Sequence, residues 1–174
     1  MKQQIIVSGL GGQGVVTLTR LLAEAAMILG WPVLASETHG MAQRGGTVIS
    51  MVKVGPFKSP LVPPGGADVG LFLCDRNLPL HRPYVRPGGA LVVNTALSGD
   101  YLGVDALGLT TRLGLAPVTA NFVVLGFAVG RGLLFCTPEV FLPLIRENSP
   151  LRFREGNEGA LLAGLKAAEE SSPA

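Results

Sequence analysis

Charged residues are scarce in this sequence. Asp, Glu, Lys and Arg make up 15% of its 174 residues, against 48% hydrophobic residues, and the formal net charge is +2. A composition this apolar excludes intrinsic disorder. The weak net charge and the lack of a basic run argue against nucleic-acid binding. So little surface charge predicts that part of the surface contacts another subunit, either a different chain or a second copy of this one.

Cysteine is also nearly missing. Cys74 and Cys136 stand alone, and neither belongs to a C-x-x-C pair. The sequence therefore lacks the ligand spacing of zinc and iron–sulfur sites, and we expect no metal site in this chain. We expect two buried, inert thiols, as in a protein of the reducing cytoplasm.

Long hydrophobic runs that would suit a membrane are missing too. The apolar run at the N-terminus is broken by Gly9, so no signal peptide is expected. The most apolar window, residues 113–130, contains proline and polar residues and is followed by Arg131. We expect a buried helix there, with no contact to a membrane. Its small residues Gly126 and Gly130 would permit close approach of a neighbouring helix or sheet.

What the sequence does have is a glycine-rich turn near its N-terminus. Residues 4–8 are apolar and β-branched, residues 9–14 are GLGGQG, and residues 15–29 carry apolar side chains at helical spacing. A G-x-G-x-x-G motif indicates a binding turn only when it lies between a strand and a helix, as it does here. The backbone N–H groups of such a turn hold a phosphate or a carboxylate, or the turn is simply tight at a subunit contact. Two valines at positions 15 and 16 exclude a Walker phosphate loop.

A polar, glycine-flanked loop follows at residues 37–46, with the sequence ETHGMAQRGG. It places a carboxylate, an imidazole, an amide and a guanidinium in one short segment. Glu37 directly follows the second predicted strand, residues 31–36, at about the position where dinucleotide-binding folds carry an acidic residue for the ribose. A free-standing NAD(P)- or flavin-binding oxidoreductase is therefore one of the alternatives.

The remaining pattern predicts a single three-layer, Rossmann-like α/β domain over residues 1–174, with a mostly parallel sheet. Residues 47–54 alternate polar and apolar side chains, as a half-exposed strand does, and we expect an antiparallel edge strand or part of a hairpin. Further strands are expected at residues 68–74, 90–94 and 116–118, and helices at residues 104–113, 121–131, 138–147 and 155–170. Residues 76–86 are expected to form a short helix or an irregular crossing that stops at the Pro-Gly-Gly of residues 87–89.

Two glycine motifs in this order resemble a known family. Residues 9–16, GLGGQGVV, followed by residues 39–46, HGMAQRGG, resemble the gamma-type subunit of 2-oxoacid:ferredoxin oxidoreductases. Residues 36–46 look closest to the beta subunit of the indolepyruvate members. Residues 121–126 and the terminal helix after Asn157 are similar as well, so the resemblance covers nearly the whole chain.

The resemblance implies a complex in which thiamine diphosphate attacks the keto carbon of a 2-oxoacid and carbon dioxide leaves. Iron–sulfur clusters then carry electrons to ferredoxin, and coenzyme A takes the acyl group. This sequence has neither a cysteine cluster nor a G-D-G…N-N stretch. Thiamine diphosphate, magnesium and the clusters are therefore expected on a partner subunit. This chain is expected to be inactive alone and to dock over the partner's active site. A scaffold subunit without any active-site role is the other alternative.

The polar residues of the two motifs are the candidate site residues. Arg44 would clamp the carboxylate of a 2-oxoacid or a coenzyme A phosphate, or it would pair with Glu37. Gln13 and Gln43 would bind a carbonyl group or tie two loops together. His39 is a candidate proton carrier, with a structural hydrogen bond as its alternative.

Glycines complete the candidate set for substrate or coenzyme A binding. They are Gly9, Gly11, Gly12 and Gly14 in the first motif and Gly45 and Gly46 in the second. Two polar residues outside the motifs, Asp75 and Asn94, end strands, and we expect each to cap a helix or a turn. His81, in a proline-rich crossing, is expected at the surface.

Overall fold

The computed structural model describes residues 1–37 and 45–171. Within these ranges, six strands form one sheet in the order β2-β3-β1-β4-β5-β6. The strands are β1 (Gln3–Leu10), β2 (Val33–Glu37), β3 (Thr47–Val54), β4 (Ala67–Phe72), β5 (Val85–Asn94) and β6 (Leu102–Val104). The helices are α1 (Val15–Ile28), α2 (Leu78–His81), α3 (Ala106–Arg112), α4 (Ala120–Gly130), α5 (Pro138–Asn148) and α6 (Leu151–Glu170).

The sheet runs in one direction except for β3. Strand β1 pairs in parallel with β4, β4 with β5, and β5 with β6, whereas β3 is antiparallel to both β1 and β2. The expected mostly parallel sheet with an antiparallel edge strand or hairpin is confirmed, and the antiparallel pair at the edge is β2 and β3. Strand β3 belongs to the pair as its inner member, and β2 is the outer strand.

The expected half exposure of β3 is wrong, because every residue of the strand after the exposed Thr47 is buried. Ser50 has no exposed surface and Lys53 is only 7% exposed. The Lys53 ammonium donates a hydrogen bond to the Leu61 carbonyl oxygen at 2.9 Å and lies 4.7 Å from the centre of the Phe57 ring. The loop that follows β3 therefore covers the face of the strand that the alternation pattern assigned to solvent.

Both faces of the sheet are covered, as a three-layer domain requires. On one face, α1 and α4 pack against the strands, and α6 lies against α4. On the other face, the short helical turns of residues 75–84 and the loop after β3 enclose a smaller core that includes Ile6, Val62 and Phe72. The layers are unequal because the crossing from β4 to β5 contains only the four-residue α2 and two 3-10 turns.

Helix α4 is buried along its whole length from Ala120 to Val129, which confirms the expected buried helix. Glycines on both helices allow the backbones of α4 and α6 to pack in direct contact. A Cβ atom on Gly126 would overlap the Leu161 carbonyl oxygen, and one on Gly164 would overlap the Val123 carbonyl oxygen. The small residues thus permit helix–helix contact. Within the described ranges, no helix is both long and apolar enough to cross a membrane.

Three other details differ from the sequence-based expectation. Strand β5 begins at Val85 and continues through the Pro-Gly-Gly of residues 87–89, with an irregular register opposite Ala67 and Val69. Strand β6 was not expected. Residues 116–118 do not form a strand, since a 3-10 turn spans Pro117–Thr119. Proline at the start of that turn lacks the N–H that a sheet ladder needs.

The two thiols are buried, as expected. Cys74 and Cys136 are both unpaired, and each is 8% exposed. Burial raises the pKa of the Cys136 thiol to about 12, so this group stays protonated at neutral pH.

A buried hydrogen-bond network fastens the end of β1 to the crossing between β4 and β5. Asn77 Nδ2 donates to the Gly9 carbonyl oxygen at 2.9 Å and to Ser8 Oγ at 3.1 Å. Ser8 Oγ also lies 2.7 Å from His81 Nδ1. The Ser8 hydroxyl accepts from the Asn77 amide and shares a hydrogen bond with His81 Nδ1, in which the hydroxyl donates when the ring proton is on Nε2 and accepts when it is on Nδ1.

The expected surface position of His81 is therefore wrong, since this side chain is only 6% exposed. Helix α2 turns it inward, onto the end of β1, instead of toward solvent. Burial lowers the pKa of His81 below its ordinary value and therefore favours the neutral ring.

The close contact between α4 and α6 predicts the effect of adding one methyl group. Gly126→Ala should destabilise the fold by about 1–3 kcal/mol, because its Cβ would press on backbone that cannot rotate away. Gly159→Ala on α6 is the matched control, since a Cβ there meets nothing within 4 Å. This control should be neutral or stabilising by about 0.5–1 kcal/mol. Urea unfolding of the three proteins measures both changes, and equal stability of the two variants would contradict the contact.

The His81 network predicts a pH dependence of stability. Unfolded His81 titrates near its ordinary pKa of about 6.5, and the folded value is lower, so the unfolded state binds more protons between the two values. Stability should therefore fall as the pH drops below about 6.5, by up to about 1.4 kcal/mol per pH unit. His81→Gln should lack this component. Urea unfolding between about pH 7.5 and about pH 5 tests it, and parallel profiles for the two proteins would refute the assignment.

Candidate functional site

The glycine turn lies where the sheet changes its winding direction. Strand β1 is followed by α1 and then by β2 on one side of the sheet, whereas β4 is followed by the 75–84 crossing and β5 on the other side. The carboxyl ends of β1 and β4 are neighbours, and the Leu73 N–H donates to the Ser8 carbonyl oxygen at 2.7 Å. Ligands of open α/β sheets bind in the crevice at this switch point.

The turn itself is held by its own backbone and by Gln13. The Gln13 side-chain oxygen accepts a hydrogen bond from the Leu10 N–H at 2.7 Å, so this amide closes its own turn. Glycine is required at Gly14, where φ is +87° and a Cβ would overlap the Asn121 side-chain amide. A Cβ on Gly9 would lie 2.9 Å from Val15 Cγ2, so strand and helix also approach closely here.

Helix α1 begins at the turn with an uncompensated N-terminus. Gly14 is its N-cap residue, no side chain of the described residues caps the first N–H groups, and the first turn carries no acidic residue. The free N–H groups and the helix dipole leave partial positive charge at this end of the helix. The arrangement suits a phosphate, a carboxylate or another electron-rich oxygen.

The second glycine segment meets the first at this place. The Gly11 N–H donates to the Gly46 carbonyl oxygen at 2.9 Å, and β3 then pairs Thr47 with Leu10 and Val48 with Gly9. Gly45, with φ at +89°, has open space around it. The structure thus brings the described glycines of the two motifs together.

Three candidate residues lie outside the described ranges, namely His39, Gln43 and Arg44. The proton-carrier role of His39, the carbonyl contact of Gln43 and the anion contact of Arg44 therefore stay predictions, as does an ion pair between Arg44 and Glu37.

A crevice of about 270 Å³ adjoins the glycine turn. Among the described residues, none of those that line it is charged; they are Gly12, Gln13, Leu73, Asn94, Leu107, Pro117, Val118, Ala120 and Asn121. Asn94 has a structural contact, because its Oδ1 accepts a hydrogen bond from the Ala106 N–H at 3.0 Å and thereby caps α3. Asp75 accepts a hydrogen bond from the Thr95 hydroxyl at 3.1 Å. Asn94 thus has the capping role expected of it, whereas the Asp75 carboxylate bonds a side-chain hydroxyl and caps neither a helix nor a turn through this contact.

Glu37 does not lie beside the glycine turn. It pairs with Ser50 of β3, and Ser50 pairs in turn with Val7 of β1. An entire strand thus separates the end of β2 from β1, which places the two backbones roughly 10 Å apart at two interstrand spacings. A ribose-binding carboxylate belongs on the strand next to β1, so the backbone arrangement disfavours Glu37 in that role.

The residues described in the structure contain no cluster of three or more His, Cys, Asp or Glu side chains that could hold a metal ion. What sequence reasoning missed is the support under the turn, Ser8, Asn77 and His81, which fixes the Gly9 carbonyl group. Nothing in the local pattern indicates this contact, because Ser8 and His81 are distant in sequence.

Comparison with known proteins agrees with this geometry. The model of the pyruvate ferredoxin/flavodoxin oxidoreductase family matches residues 4–167. An indolepyruvate oxidoreductase subunit IorB from Archaeoglobus fulgidus is 41% identical over 95 residues, which are 55% of this chain and 47% of that protein. The aligned region thus spans about half of that relative.

A second relative aligns over its full length. The indolepyruvate oxidoreductase subunit IorB from Methanothermobacter thermautotrophicus is 27% identical over 98% of this chain and 100% of its own. The crystal structure of the gamma subunit of a keto/oxoacid ferredoxin oxidoreductase from Geobacter sulfurreducens superposes with a TM-score of 0.76 at 26% identity. The superposition covers 97% of this chain and 99% of that one. With the family model matched over most of its length, the chain belongs to the pyruvate ferredoxin/flavodoxin oxidoreductase family.

Proposed function

We propose that this chain is the small, cofactor-free subunit of a thiamine diphosphate-dependent 2-oxoacid:ferredoxin oxidoreductase, with indolepyruvate or a related aryl 2-oxoacid as substrate. Family membership and the IorB relatives support the reaction class. Thiamine diphosphate, magnesium and iron–sulfur clusters would reside on a partner subunit that passes electrons to ferredoxin. The chain alone would be inactive. The buried, unpaired thiols fit a protein of the reducing cytoplasm.

The observation that carries this proposal is the hydrogen bond from the Gly11 N–H to the Gly46 carbonyl oxygen. It joins both glycine segments into one backbone-rich surface at the switch point of the sheet. Such a surface contributes N–H groups and shape but no catalytic side chain from the described residues. A surface that binds through its backbone, with the catalytic groups on another chain, fits a subunit that docks over an active site located in that other chain.

The residues of this chain would bind and orient a reactant in that active site. The N-terminus of α1 offers free N–H groups to a carboxylate or to a phosphate of coenzyme A. Arg44 precedes Gly45 directly, so its guanidinium would supply the matching bidentate contact near this surface. Correct orientation of the two reactants contributes to the rate without a new covalent step in this chain.

The two alternative functions differ in what they require. A free-standing NAD(P)- or flavin-binding enzyme needs an acidic residue beside the glycine turn, and an intervening strand separates Glu37 from it. A pure scaffold needs partner contacts only, with no contribution of Arg44 to turnover. The two experiments below separate these functions from the proposed one.

Substitution of Arg44 tests whether the chain contributes to turnover. In the assembled complex, Arg44→Ala should lower kcat/KM for the 2-oxoacid or for coenzyme A on the order of 100-fold, because a positioning contact is lost. Arg112→Ala is the control, since Arg112 is exposed and lies 3.9 Å from Asp105 in a surface ion pair that contributes little. Steady-state reduction of ferredoxin measures both variants. Normal turnover with Arg44→Ala would favour the scaffold.

Titration with nucleotides tests the free-standing alternative. The isolated chain should not bind NADH or FAD with a dissociation constant near the micromolar range, because β3, which lies between β1 and β2, carries no acidic residue for a ribose. Isothermal titration calorimetry with each nucleotide measures this directly. Micromolar binding of either one would count against the subunit assignment.

A further inference from the structure

A large apolar groove lies on the helical side of the molecule, beside the glycine turn. Its volume is about 470 Å³, and α1, residues 114–121 and the α5–α6 turn line it. Leu21, Phe122 and Ile145 are buried at its base, while Val118 and Phe153 are 55% and 46% exposed. We call this surface the α1–α6 groove.

Within the part of the chain that the structure describes, two arginines on different helices carry the only charges that line the groove. Arg20 comes from α1 and Arg152 from α6. Among the described residues neither arginine forms an ion pair, and the Arg152 guanidinium lies 4.5 Å from the centre of the Phe153 ring. Glu24, one helical turn after Arg20, accepts a hydrogen bond from Asn148 at 2.7 Å. The groove thus combines an apolar base with positive charge that the described part of the chain does not neutralise.

On the basis of the proposed function, we propose that the α1–α6 groove is the docking site for the cofactor-bearing partner subunit. The occupant is an apolar segment of that subunit with a carboxylate side chain that meets Arg20 and Arg152. Apolar side chains of the segment cover the base of the groove, and the carboxylate provides the complementary charge.

The exposed apolar side chains favour a polypeptide over a small molecule as occupant. Val16 and Val118 are 42% and 55% exposed, and Leu151, next to the lining residues of α6, is 81% exposed. A ligand that fills only the groove leaves Leu151 in water. A polypeptide segment covers the groove and the surrounding apolar surface together.

The position of the groove links docking to the candidate site. Gly14, the N-cap residue of α1, and Asn121, next to it, both line the groove. Asn121 and Val118 also line the crevice at the glycine turn. A segment bound in the groove therefore brings the partner subunit next to the free N–H groups of α1.

Charge reversal in the groove tests the docking site. Wild type and Arg20→Glu/Arg152→Glu are each titrated against the cofactor-bearing subunit of the same organism, and the dissociation constants are compared. The double variant should bind on the order of 100-fold more weakly, because two attractive contacts become repulsive. Ala116→Trp, at an exposed position of the groove wall, should also weaken binding by occupying the space.

Lys58→Glu/Arg76→Glu is the matched control, with the same change of charge at exposed positions that do not line the groove. Thermal unfolding establishes that each variant is folded. Wild-type affinity of both groove variants overturns the docking site, as does equal weakening by the control. If the wild type does not bind the cofactor-bearing subunit, the proposed function itself fails. If the wild type is a dimer that the groove variants dissociate, the occupant is a second copy.

Discussion

The antiparallel strand β3 between β1 and β2 is the constraint on which the candidate site depends. Its register with β1 places Thr47 opposite Leu10, so the chain enters β3 directly beside the exit of β1. The Gly11–Gly46 hydrogen bond follows from this register. The same insertion moves β2 to the edge of the sheet and separates Glu37 from the turn. One topological change therefore favours a surface made by two loops and disfavours a dinucleotide site.

The sequence predicted elements whose pattern is local and missed features that depend on distant chain segments. The apolar spacing after the glycine turn predicted α1, which begins at Val15 as expected and ends at Ile28, one residue before the predicted end. The alternation in β3 predicted a strand correctly but exposure wrongly, because the residues that cover Lys53 come from the following loop. The error at residues 116–118 came from apolar composition, where proline at the start of a 3-10 turn was the better guide.

The candidate site, like the fold, was predictable from the sequence only where its pattern is local. Both glycine segments stood out by residue type, and their convergence follows from the pairing of β1 with β3. The network under the turn was not predictable, since the burial of His81 depends on how α2 folds back onto the end of β1. The α1–α6 groove was also invisible to sequence reasoning, because it forms where three separate segments approach one another.

Helix α4 has a consequence for how the chain acquires its structure during synthesis. Its side chains are buried between the sheet and α6, with Gly126 against the backbone of Leu161. A nascent chain that has left the ribosome only as far as α5 would still present the outer face of α4 to water. Transiently exposed apolar surface of this kind promotes aggregation in nascent and partly folded chains. Completion of the core is thus coupled to translation of the segment that follows α5.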